Sequence, residues 1–124
     1  MSYKIAKKDS FKTFNKGVGF DVTPTGKIDS AFSVTYVTLS NGRDPSEINK
    51  VIEVNPGYCV LYLLQKGEIS FIFYEDTKKE VTLTEKEYMY ITPGTKYEIS
   101  GTGELALVMI PAYSDKTFSH PQKP

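Results

Sequence analysis

The sequence predicts an all-β single domain, and three observations carry that prediction. Apolar residues recur with period two, as in Phe32-Val34-Tyr36, or in short unbroken runs such as Tyr58–Leu64 (YCVLYLL). Turn-forming groups rich in Gly, Pro, Asn and Asp separate these runs about every eight to twelve residues, the spacing of a sandwich or barrel. No stretch of ten residues carries the 3.6-residue apolar stripe of a surface helix.

In chain order, Tyr3-Lys4-Ile5 is a short candidate strand, and Lys8–Phe14 is either one helical turn or a loop. Gly17, Gly19, Pro24 and Gly26 break the next stretch, leaving Phe20-Asp21-Val22 as at best a short edge strand. Ala31–Leu39 (AFSVTYVTL) alternates as a half-buried strand does, and Asn41-Gly42 then turns the chain. Asn49–Val54 is extended, Asn55-Pro56-Gly57 is a turn, and Tyr58–Leu64 reads as a central strand covered on both faces. A turn at Gln65-Lys66-Gly67 leads to Ile69–Tyr74, a charged loop at Glu75–Lys79, and a returning strand at Glu80–Leu83. Tyr88–Ile91 and Tyr97–Ile99 flank Thr92-Pro93-Gly94, where Pro presets φ and Gly accepts the positive φ that follows. Glu104–Ile110 is the last strand, and Pro111 ends it. The expected organisation is an N-terminal arm and edge strand over 1–30, a barrel over 31–111, and a polar tail over 112–124 packed on or near it.

Composition limits function. Fifteen acidic and fifteen basic side chains cancel, so no net field draws the chain to nucleic acid or an anionic membrane. The nine tyrosines and seven phenylalanines sit mostly at strand spacing, which assigns them to core and pocket rather than to base stacking. The single cysteine, Cys59, allows no intrachain disulfide, and the first residues, MSYKIAKKDSF, contain no apolar signal segment. A cytoplasmic protein with no nucleic-acid or membrane partner is expected.

The run from Lys86 to Gly101, KEYMYITPGTKYEISG, resembles the second conserved box of the cupin superfamily: Gly, five residues, Pro-X-Gly, two residues, His, three residues, Asn. Lys86 stands at the first Gly, Glu87 at the acidic residue that often follows, and Thr92 at the Pro. Gly94 is retained, Tyr97 replaces the metal-binding His, and Gly101 replaces the Asn. VLYLLQKGEISFIF is similar to the family's first hairpin, and the ending MIPAYSDKTFSHPQ to that of small single-domain cupins. The resemblance implies an antiparallel jelly-roll barrel. It does not imply an activity, because this fold hosts many.

In the family, the first box supplies His-X-His and a Glu that join the second-box His around a divalent metal. Here the corresponding positions are Glu53, Asn55, Cys59 or Val60, and Tyr97. An amide carbonyl is a poor transition-metal ligand, and a thiol and a phenol would both have to lose protons without a base nearby. The expectation is therefore no metal and no cofactor. The ligand-binding candidates are Glu53, Tyr62, Tyr90 and Tyr97, some of which should wall a pocket inside the barrel. Secondary candidates are Arg43, the chain's only arginine; Asn55, which shares a face with Glu53; Cys59; and His120 in the tail. Each has a plainer reading: a loop ion pair for Arg43, a solvent face for Glu53 and Asn55, a small buried hydrophobe for Cys59, a solvated tail for His120.

Two functional readings follow. One is a barrel that binds a small polar or carbohydrate-like metabolite without metal. The other is a metal-independent sugar or sugar-nucleotide isomerase or epimerase working by acid-base chemistry. The position of the only histidine in the tail weakens the second. A homodimer is expected, since a small barrel with an extended arm and exposed strand edges has backbone groups to cover.

Overall fold

A computed structural model describes Ile5 and residues 12–15, 20–24, 30–40 and 51–121. The described residues form strands and turns with no helix, so nothing in them is a helix long and apolar enough to cross a membrane. Tyr3, Lys4, Lys8–Phe11, Asn41-Gly42, Arg43 and Asn49 lie outside the described residues.

The nine strands among the described residues make one curled antiparallel sheet. They are β1 (Phe14–Asn15), β2 (Phe20–Pro24), β3 (Ser33–Leu39), β4 (Ile52–Val54), β5 (Cys59–Tyr74), β6 (Lys78–Thr84), β7 (Tyr88–Ile91), β8 (Lys96–Ile110) and β9 (Phe118–Ser119). The axis of the sheet is the pair β5–β8. β8 runs along one edge of β5, while β6 and then β7 line the other, β6 on its second half and β7 on its first. The far edge of β8 carries β3 and β2 beside its second half and β4 and β9 beside its first.

The expected turn at Gln65-Lys66-Gly67 and the expected gap between Tyr97–Ile99 and Glu104–Ile110 are both absent, for one physical reason. Gln65-Lys66-Gly67 does not end a strand; β5 continues through it with a register shift between Leu64 and Lys66. Likewise Ser100–Gly103 does not separate two strands but lies inside β8. The glycines serve a crossing, not a turn. Gly67 pairs with Gly103, and a Cβ on Gly103 would sit 2.2 Å from the Lys66 carbonyl oxygen. A Cβ on Gly101 would meet the Glu68 carbonyl oxygen at 2.5 Å. The two long strands bend together where no side chains hold their backbones apart.

Both Pro-Gly turns form as their sequences dictate. Gly57 has φ 90° and Gly94 φ 82°, with Tyr58 and Thr95 amides closing the turns onto the Asn55 and Thr92 carbonyls at 3.1 and 3.3 Å. The turns are tied together through Val54, whose amide donates to the Thr95 carbonyl and whose carbonyl accepts from Gly94.

Alternation then decides what is inside. Val60, Tyr62, Leu64, Ile69 and Phe71 of β5 and, beside them in register, Ile99, Leu105, Leu107 and Met109 of β8 belong to one buried core. On β3 the buried face is Ser33, Thr35, Val37 and Leu39, so Val34 and Tyr36 lie on the opposite, partly exposed side. Tyr58–Leu64 is buried on one face only: Leu63 is 37% exposed. The tail is not wholly surface coil. β9 pairs with β4, Thr117 is fully buried, and the Tyr58 hydroxyl meets the Ser114 hydroxyl at 3.0 Å.

Candidate functional site

Curling β5 brings its two halves face to face, and the rings they carry meet in the interior. Tyr62 of the first half packs edge-on against Phe71 of the second, with ring centroids 5.1 Å apart. Phe71 stacks with Phe73 at 6.2 Å, and both rings pack against Tyr97 of β8 at 6.1 Å. Tyr97 is placed by its two neighbours in register, Ile52 on β4 and Phe73 on β5. Tyr62 is placed by Met89 and Leu107.

The hydroxyls of Tyr62 and Tyr97 meet at 2.7 Å, and either can donate to the other. Both side chains are buried, Tyr97 completely. Loss of water raises both phenols: Tyr62 is pushed up to about 12, with the bond from Tyr97 acting in the opposite, smaller sense. Tyr97 is raised well above the ordinary phenol value, by burial first and then by the charge and hydrogen bond of Tyr62. At neutral pH both therefore carry their protons. One proton is used in the mutual bond; the second has no acceptor among the described residues.

Phe73 links this cluster to an open cleft of about 250 Å³. The cleft is bounded by Val81, Ile91, Thr92 and Thr95, with Glu75, Lys79 and Tyr90 at its rim. The Thr92 and Thr95 hydroxyls hold each other at 3.1 Å.

Of the four primary candidates, the structure brings Tyr62 and Tyr97 together and leaves Glu53 and Tyr90 apart from them. Glu53 alternates with the inward-facing Ile52 and Val54, so it points outward beside its cross-strand partner Lys96, 3.8 Å away. Tyr90 pairs in register with Leu61 on the outer face and is 57% exposed. It touches the cleft only at the rim, and its phenol is raised by hydrogen bonding and charge from Cys59, with a lesser contribution from burial.

Among the secondary candidates, Asn55 fastens the tail, its amide donating to the Lys116 carbonyl at 3.0 Å and its oxygen accepting from Ser119 at 2.9 Å. Cys59 is half-buried on the outer face rather than in the core, and His120 is exposed. Arg43 lies outside the described residues.

The cupin ligand positions do not converge. Tyr97 faces in, Glu53 faces out against a lysine, and Asn55 is engaged by the tail. Among the described residues, no three His, Cys, Asp or Glu side chains gather closely enough to hold a metal ion. A divalent cation coordinated at these positions does not fit this donor set.

Sequence reasoning missed Phe71 and Phe73, whose inward direction depends on the register beyond the bulge. It also missed Glu98, 2% exposed, which accepts a hydrogen bond from the Tyr74 hydroxyl. Being next to Tyr97 in an extended strand, Glu98 is buried on the opposite face of the strand from the ring cluster.

No family model matches the chain, and no curated protein matches it in sequence. Solved structures do match it over nearly its whole length. A variant of Streptomyces Pac13 with uridine superposes with a TM-score of 0.79 at 21% identity, covering 98% of this chain and 92% of that one. A further Pac13 structure, described as that of a nucleoside dehydratase, gives 0.78 over the same shares and at the same identity. An RmlC-like cupin from Shewanella frigidimarina gives 0.69 at 14% identity, over 92% of this chain and 96% of that one. The strand order, the curl and these superpositions agree: the chain has a cupin-like fold.

Proposed function

We propose that the protein binds a small polar metabolite carrying a nucleoside- or sugar-like ring in its barrel, without a metal. One observation carries this reading: a buried pair of protonated phenols that, among the described residues, uses only one of its two hydroxyl protons. An unused buried donor is costly, by about 1–3 kcal/mol, unless something accepts from it. A carbonyl or hydroxyl oxygen of a ligand resting against the ring cluster would do so. The cleft beyond Phe73, at about 250 Å³, suits a single ring rather than a chain.

The structural neighbours support the same class of ligand. Pac13 is described with uridine, and two of those structures carry Tyr-to-Phe variants at positions separated by nearly the same interval as Tyr62 and Tyr97. The second reading is an enzyme of proton-transfer type acting on such a ring. In it the neutral phenols would be hydrogen-bond donors to an oxygen on which charge develops, not bases, because burial keeps them protonated.

Isothermal titration with uridine, free nucleobases and monosaccharides tests the binding reading. Wild-type protein should bind one of them with an affinity that EDTA leaves unchanged. Tyr97→Phe keeps the ring and removes the hydroxyl, and should weaken that affinity about tenfold. Binding of none of these probes, or undiminished binding by Tyr97→Phe, would overturn it.

A further inference from the structure

The outer face of the β7–β5–β8 half of the sheet is uncharged across all three strands. Two cross-strand rows make it: Tyr90–Leu61–Val108 and Tyr88–Leu63–Ala106. A third row pairs Cys59 with Ile110. Apart from Ala106, which is buried, these side chains are not spent on the core. Tyr88 is 70% exposed, Tyr90 57%, Ile110 44% and Leu63 37%. The same face of β5 and β6 beyond the bulge is different in kind, with Ser70 paired to Thr82 and Glu80 and Lys78 nearby. The apolar surface is therefore confined to one half of the barrel wall.

We propose that this face is the interface with a second copy of the chain, the two sheets packing face to face about a two-fold axis near Leu63. Three features favour a second copy over another occupant. First, a two-fold interface puts like against like, which an uncharged apolar patch satisfies and a charged one does not. The chain's zero net charge adds no repulsion between copies. Second, aromatic side chains contribute about 150–250 Å² each, so at these exposures the three rows present roughly 500–600 Å². That lies at the upper end of the roughly 300–600 Å² of the largest patch on a typical monomer. It also approaches the roughly 800 Å² that each partner gives to an interface of standard size. Third, the tyrosines stand at the margin, on β7, whose other edge is unpaired among the described residues. Their rings can be covered while their hydroxyls stay wet, the arrangement of an interface rim.

Sedimentation velocity of the full chain across micromolar to tens of micromolar concentrations tests the proposal. Wild-type protein should sediment as a dimer. Leu63→Glu places two carboxylates against each other at the axis and should weaken association about a hundredfold or more, with the far-ultraviolet circular dichroism unchanged. Leu63→Lys should do the same alone, and mixing the two variants should restore the dimer, since only then do opposite charges meet. Tyr88→Glu, at a residue too exposed to matter for folding, is the second variant should either Leu63 change unfold the chain. A wild-type monomer at tens of micromolar would overturn the proposal. So would a dimer that survives both Leu63→Glu and Tyr88→Glu, including one that instead dissociates when residues 1–11 are removed.

Discussion

Substituting alanine at Gly103 isolates the steric demand of the β5–β8 crossing. Gly103 is not in the left-handed region, so alanine brings no backbone strain, only a methyl group 2.2 Å from the Lys66 carbonyl oxygen. Relieving that contact requires the strands to part by about 1 Å, enough to lengthen a normal hydrogen bond beyond its useful range. Two to four ladder bonds around the Gly67–Gly103 pair would weaken or be lost. At about 1 kcal/mol each, the expected cost is roughly 3 kcal/mol. Gly57 gives the converse control: φ 90° but nothing within 4 Å of its added Cβ, so Gly57→Ala should cost only the left-handed penalty, about 1 kcal/mol. Gly67 combines both, with φ 91° and a 2.2 Å contact to the Thr102 carbonyl oxygen, and its alanine variant should be the least stable of the three. Urea denaturation followed by tyrosine fluorescence, the chain having no tryptophan, ranks them directly. If Gly103→Ala costs no more than Gly57→Ala, the close crossing is not what shapes the barrel and the argument fails.

Two further outcomes are expected. Lys86 occupies the left-handed region at φ 69°, so Lys86→Gly should raise the urea midpoint by the equivalent of about 0.5–1 kcal/mol; a lower midpoint would contradict it. The folded state also holds Tyr62 protonated up to about pH 12, while the unfolded chain ionises near 10. Stability from this phenol is thus fully present below pH 10 and declines as pH rises through 12, by about 2–3 kcal/mol in total. Denaturation midpoints that stay level from pH 9 to about 12 would refute that assignment.

Local chemistry was legible in the sequence wherever one residue type has one physical use. Pro56-Gly57 and Pro93-Gly94 are turns in both readings, and Tyr88–Ile91 is a strand with the predicted ends. The resemblance places a glycine at Lys86, and the backbone there is indeed left-handed although the side chain is lysine. Gly67 misled because glycine has two uses. A turn and a close crossing both call for it, and only the partner strand shows which applies. The pairing of Tyr62 with Tyr97 was half legible: both were candidates, but their meeting depends on β5 curling back, which no local pattern encodes. Glu53 and Tyr90 were lost to register, since one residue's shift exchanges the two faces of a strand.

The strand order also sets when the candidate site comes into existence. β5, β6 and β7 are consecutive in the chain, and β6 and β7 both pair with β5, so that unit closes only short loops. β8 then seals the barrel along the whole of β5, and Tyr97 arrives with it. Tyr62 therefore waits on one side of an unfinished barrel, and its hydroxyl partner is absent until the final seam is made. A molecule held by both phenols can bind no partly assembled form of the chain. Occupancy would slow the unzipping of β8, so slowed amide exchange along the β5–β8 seam would register the ligand even where its contacts are few.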